Sequence, residues 1–247
     1  MREAESDGVT RTPVFATTHW SVVLQAGDSR SSEGSAALEK LCRTYWFPIY
    51  AFVRRKGHAE EDAKDLTQQF FALLLGRKDF QVIDARKGKF RNFLLASLTH
   101  FLSNQREHAR AAKRGGGKII LSLDAVPPEQ FQRFEPAVDL TPDKLFDQRW
   151  AMTLLESAVV RLKEEQLRAG RAEQFEVLKG FLTSEPRDGE YGQLAERLGC
   201  AGQSVAVAVH RLRQRYRELV RAEVANTVSS PTEVEEEMRD LFLALNG

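Results

Sequence analysis

From residue 35 onward the apolar side chains recur at i, i+3, i+4 and i+7, and almost nowhere do they alternate. Spacings of three and four put side chains on one stripe of a helix, whereas a strand needs a period of two. The chain is therefore predicted to be all-α. A first helical block covers residues 35–112, with breaks at Gly57 and His58, at 76–88 and at 115–117. A second covers 141–224 and holds three or four helices, broken near Gly170, at 185–189 and at 199–202. Residues 115–140 carry three consecutive glycines and three of the eight prolines, with no helical period. They read as an extended linker on which Ile119, Ile120, Leu121 and Leu123 are available to dock. The expected architecture is two helical domains, 35–114 and 141–224, on a tether, with an N-terminal extension (1–34) and a C-terminal tail (225–247). In that tail Ser230 and Pro231 suit a helix cap and first residue. Val234, Met238, Leu241, Phe242 and Leu245 then mark one apolar face.

The net charge of +1 conceals two opposed clusters. Between residues 86 and 118, nine basic residues face a single acid, Glu107. Between 222 and 247, six acids face only Arg239. A polyanion senses such a local patch within about one Debye length, roughly 8–10 Å. The two clusters are also complementary, so the acidic tail suits covering a basic face in the free protein. No apolar run approaches the roughly 20 residues of a membrane span, and the start has no signal-peptide core. A cytoplasmic location is expected. Cys42 and Cys200 lie far apart, without a CxxC pair, and are expected to be buried thiols rather than a bridge.

Residues 190–220 carry the clearest local pattern. Tyr191, Leu194, Ala195 and Leu198 form one stripe, Gly199 suits a left-handed helix end, and Val205, Val209, Leu212 and Tyr216 form a second stripe. Two short helices joined by a tight glycine-bearing turn make a helix-turn-helix. Opposite the second stripe lie Gln203, Val207, His210, Arg211 and Gln214. Amides and guanidinium groups read base edges in a major groove, and Val207 suits a thymine methyl. Arg213, Arg215, Arg217 and Arg221 flank that face and suit phosphates.

In residues 87–114, Phe90, Phe93, Leu94, Leu98, Phe101 and Leu102 form a stripe to bury. Asn92, Thr99, Ser103, Arg106 and Arg110 occupy the other side, followed by Lys113 and Arg114. With Lys89 and Arg91 this suits a nucleic-acid backbone, and an aromatic such as Phe90 or Phe80 suits stacking on an unpaired base. In residues 58–75, Ala63, Leu66, Phe70, Leu73 and Leu74 are expected inward, leaving Asp62, Asp65 and Gln69 on an acidic outer face. The five histidines have no ligand spacing, and no phosphate loop, HExxH or GxSxG pattern occurs. No catalytic residue, metal or cofactor is expected.

An acidic helix, an aromatic and basic helix and a C-terminal helix-turn-helix, in that order, resemble the sigma-70 family of RNA polymerase sigma factors. The extracytoplasmic-function (ECF) group, which lacks the middle domain, is the nearest form. The resemblance implies a region 2 bundle and a region 4 helix-turn-helix as the two domains. EEDAKDLTQQFFALLL resembles region 2.2, implying that Asp62, Asp65, Gln68 and Gln69 dock on core RNA polymerase. KFRNFLLASLTHFLSNQREHARAAKR resembles regions 2.3 and 2.4, which melt and read the −10 promoter element. That implies DNA contacts for Lys89, Phe90, Arg91, Ser103, Asn104, Arg106, Arg110, Lys113 and Arg114. The segment 191–220 resembles region 4.2, implying −35 contacts for Gln203, Ser204, Val207, His210, Arg211, Arg213 and Gln214. The implied partners are core polymerase, promoter DNA and a possible inhibitor protein, with no membrane. The alternative on the residues alone is a helix-turn-helix regulator that acts without joining polymerase.

Overall fold

A computed structural model describes residues 32–76, 89–111, 140–228 and 230–246, the side chains of 32–41, 75–76 and 108–111 excepted. These residues form eight α-helices and two short 3₁₀ turns, and no strand occurs among them. The first helix, α1 (Ser32–Arg55), is the central post. From Cys42 to Val53 apolar groups are buried on every side, among them Tyr45, Trp46, Ile49 and Phe52. A helix apolar all round must sit inside its neighbours. It runs straight through Pro48, which removes one backbone donor from the ladder. Burial on all faces holds the stretch as one helix across the proline. Beyond Arg55 the chain turns at Gly57, whose φ of +93° is a conformation that side chains bearing a Cβ rarely adopt.

Helix α2 (Glu60–Gly76) opens with Glu60, Glu61 and Asp62, which favour the positive end of its dipole. It buries Ala63, Thr67, Phe70, Phe71 and Leu74, and the Thr67 hydroxyl donates to the Ala63 carbonyl at 2.7 Å. Leu73, expected inward, is 43% exposed, and Phe71 takes its place in the core. Helix α3 (Phe90–Ala111) packs Phe101 on Phe70, with ring centroids 5.7 Å apart, and sets Phe90 edge-on to Tyr45 at 5.1 Å.

Helix α4 (Pro142–Arg168) starts on a Thr141 cap that accepts from the Lys144 amide at 3.3 Å, with Pro142 as first residue. It buries Leu145, Phe146, Trp150, Leu154, Ala158 and Leu162. Its most extensive packing is along α1, not within its own block. Phe146 stacks on Tyr45 at 6.4 Å, and Arg55 donates to the Leu140 carbonyl at 2.7 Å. Helix α5 (Ala172–Leu178), a 3₁₀ turn (Lys179–Leu182), α6 (Glu190–Leu198) and α7 (Gly202–Ala225) follow. A second 3₁₀ turn (Pro231–Glu233) leads into α8 (Val234–Asn246), which packs on α4 and α7. The predicted start is present: the Thr232 amide donates to Ser230 Oγ, and the Ser230 amide to Glu233 Oε2, both at 3.3 Å. One contiguous core joins α1–α3 through α4 to α6–α8. The extension 1–31, the linker residues 112–139 and the loop bearing Phe80 lie outside the described residues.

Candidate nucleic-acid interface

The helix-turn-helix is built as its spacing predicts. Gly199 ends α6 at φ +62°, and the Cys200 amide donates to the Ala195 carbonyl at 3.0 Å. A Cβ at that φ would cost about 1–2 kcal/mol. Val205, Val209, Leu212 and Tyr216 seat α7 in the core. Gln203, Ser204, Val207, His210, Arg211 and Gln214 all lie exposed, with Val207 44% accessible. A groove of about 810 Å³ separates the end of α4 from the first half of α7, and Gln203, Ser204, Val207 and Arg211 line it.

Arg213 is placed differently from expectation. Its Nε donates to the Phe181 carbonyl and its Nη2 to the Ser184 carbonyl, both at 2.7 Å, and Glu185 lies 3.3 Å away. The guanidinium is spent on the end of the 3₁₀ turn that supports α6. Arg215 forks onto Glu165 with two bonds of 2.8 Å, which pulls the Glu165 carboxyl below its ordinary pKa, and Arg221 pairs with Glu235 at 2.5 Å. Of the flanking arginines expected at phosphates, Arg213, Arg215 and Arg221 thus hold intramolecular partners.

On α3, Ser103, Asn104 and Arg106 are exposed on one side of the helix. The Arg110 side chain, Lys113 and Arg114 lie outside what is described. The other end of α3 departs from expectation. Phe90 is buried against Tyr45 and Phe93 and offers no face for stacking. Arg91 is buried too. Its Nε donates to Glu237 at 2.8 Å and its Nη1 to Asp147 at 2.6 Å, its Nη2 bonds Asp240, and its guanidinium lies 4.8 Å over the Trp150 ring. Lys89 Nζ sits 2.5 Å from Asp240 and 3.1 Å from both Glu236 and Glu237. Burial works to lower the Lys89 pKa, but the bonds to Asp240, Glu237 and Glu236 outweigh it and leave it above the ordinary lysine value. The residues expected at phosphates are here held by carboxylates of the chain's own tail. Glu237, 1% exposed, takes a core position on α8, while Phe242, expected inward, is 56% exposed.

The sequence carried a signal for this cluster. On a helix of 3.6 residues per turn, Arg91 falls about 100° from Phe90, between Leu98 and Leu102, inside the apolar stripe. Glu237 likewise stands three residues after Val234 and four before Leu241, both buried. A charge inside a buried stripe requires an opposite charge on whatever covers it.

On α2, Asp62, Asp65 and Gln69 are exposed together, joined by Leu73, while Gln68 sits half-buried on the flank. Gln105 of α3 donates to Gln69 at 3.4 Å. Cys42 is buried and Cys200 exposed, both as free thiols. Among the described residues no group of acids, histidines and cysteines is arranged to hold a metal, and no helix is long and apolar enough to cross a membrane.

These features define an all-helical DNA-binding protein with a C-terminal helix-turn-helix. The family profile described as ECF sigma factor matches residues 19–236, and the chain belongs to that family. It is accordingly a transcription initiation factor that binds core RNA polymerase and promoter DNA, a regulatory protein rather than an enzyme. No curated protein and no solved structure matches the chain.

Proposed function

We propose that α7 reads the −35 element, that α3 contacts and helps open the −10 element, and that the acidic face of α2 docks on polymerase. The observation that carries this reading is the strip Gln203, Ser204, Val207, His210, Arg211 and Gln214, exposed along a recognition helix whose opposite stripe is anchored in the core. Arg211 and Gln214 supply donors for base edges, and Val207 an apolar contact. Ser103, Asn104 and Arg106 supply the polar face toward the −10 element. Asp62, Asp65 and Gln69, with Gln68 at the edge, supply the polymerase contact. In this reading residues 35–114 and 141–224 act as separate promoter-binding units joined by 115–140. The test is transcription in vitro with core polymerase on a genomic fragment library, with start sites mapped. Starts should share two elements at fixed spacing. An Asp62→Arg/Asp65→Arg protein should lose those transcripts while α7 still binds −35 fragments. Starts without a shared upstream element would refute the reading.

A further inference from the structure

The two promoter elements are too far apart for the body described above. By their names they are centred 25 base pairs apart, about 85 Å along B-DNA at roughly 3.4 Å per pair. A compact body of the 174 described residues has a radius of gyration of about 16 Å, or a diameter of roughly 40 Å. The longest helix among the described residues, α4 with 27 residues, spans about 40 Å. Yet α4 is packed along α1, and one core runs from α1 to α8. In this arrangement α3 and α7 cannot sit on both elements together. The chain itself permits separation: the 28 residues between 111 and 140 reach at most about 95 Å.

We infer that this arrangement is a closed state, latched by the C-terminal helix α8, which occupies Lys89 and Arg91 in place of DNA phosphates until polymerase parts the two halves. This rests on the −10 and −35 reading proposed above. The latch is the cluster in which Glu236, Glu237 and Asp240 of α8, with Asp147 of α4, surround two cations at the start of α3, Lys89 just ahead of it and Arg91 in its first turn. Four carboxylates against two cations exceed what neutrality needs. The chemistry suits release, because phosphates bind the same ammonium and guanidinium groups and replace carboxylates like for like. An apolar seam would have no such competitor. The tail therefore tests for the polyanion: it leaves α3 only where polymerase and promoter together supply the replacement contacts. Opening also requires polymerase to draw α4 off α1, and Arg91, joined to α4 through Asp147 as well as to α8, ties the latch to that seam.

The experiment measures energy transfer between a dye on the native exposed Cys200 and one on Ala59→Cys, a position exposed ahead of α2. The full-length protein is used, with Cys42→Ala to keep labelling specific. The free protein should give one high-transfer population, and the holoenzyme on a promoter a low-transfer one. Glu236→Gln/Asp240→Asn, which keeps Glu237 and Asp147 on Arg91, should shift free protein toward low transfer. It should also tighten binding to a −10 fork by roughly fivefold or more, within the usual range of coupling between sites. Arg239→Gln, an exposed change outside the cluster, should do neither and serves as the control. A holoenzyme that transcribes at unchanged high transfer overturns the closed state together with the assignment of α3 and α7 to the two elements, whereas the double variant tests the latch alone. Unchanged transfer in the double variant, with its helicity and melting preserved, overturns the latch. Failure of the wild-type protein to start transcripts from two-element promoters takes down both.

Discussion

Replacing Arg91 by Met tests the energetic core of the cluster. The change removes the guanidinium from Glu237, Asp147 and Asp240 while roughly preserving volume over Trp150. Asp147 and Asp240 keep about a third of their side-chain surface in water, so screening reduces what their loss costs. Glu237 is 1% exposed and dominates. Breaking a buried pair by removing one partner costs about 3–5 kcal/mol. Lys89, 3.1 Å from the same carboxylate, remains and favours the lower end, about 3 kcal/mol. For a chain of this size that lowers Tm by about 6–12 °C. The assay is thermal and urea unfolding followed by circular dichroism at one ionic strength. Arg91→Met/Glu237→Met should recover most of the loss, to within about 1 kcal/mol of the parent, because well-packed apolar pairs often replace buried ion pairs without cost. A single variant that loses under about 1 kcal/mol, or a double variant as damaged as the sum of its singles, would refute the assignment of Glu237 as a buried charge dependent on Arg91.

Three further outcomes are expected. Arg211→Ala should leave stability within about 0.5 kcal/mol and cost about 1–3 kcal/mol of discrimination at one −35 base pair; Arg213→Ala should instead destabilise by about 1–3 kcal/mol through its two lost carbonyl bonds, with little change in base preference. Competition binding across a −35 library and urea melts separate the two. Leu73→Ser should weaken polymerase binding by roughly tenfold, the worth of about 1.5 kcal/mol of apolar contact, with unchanged Tm, as read by holoenzyme titration. His58 should titrate below the ordinary histidine value, because burial and then the Arg106 charge disfavour imidazolium. Its contribution to stability is then complete above about pH 6.5 and lost as pH falls through the folded value. Arg106→Gln should raise the His58 midpoint only part of the way, as nuclear magnetic resonance titration would show.

The helix-turn-helix was legible because each of its determinants is local. Gly199 fixes the turn, and the stripes of α6 and α7 follow from 3.6 periodicity. The cap at Ser230 and Pro231 was legible for the same reason. The exposed positions on α3 and α7 also followed from periodicity, since a residue opposite an anchored stripe has nowhere to go but solvent. What was not legible is which helix covers which. Periodicity says that Phe146, Trp150 and Leu154 are buried, but not that α1 buries them across the boundary between the two blocks. At Pro48 the local cost of a helical proline is visible in the sequence and the burial that offsets it is not. Leu73 and Phe71 both lie near the edge of the α2 stripe, and only the position of the neighbours decides between them.

Lys89 and Arg91 show the deeper reason. A basic residue on an amphipathic helix has two ways to satisfy its charge, an external polyanion or an internal carboxylate, and local sequence scores both alike. The discriminating fact is non-local: Arg91 lies within the apolar stripe of α3, and Glu237 within that of α8. Either charge alone in a buried stripe would be prohibitive; together they name each other as partners and so orient α8 across α3 and α4. Such a pair adds little net stability compared with an apolar contact, but it specifies the register of the docked tail, and it is the only kind of contact here that a nucleic-acid backbone can take over.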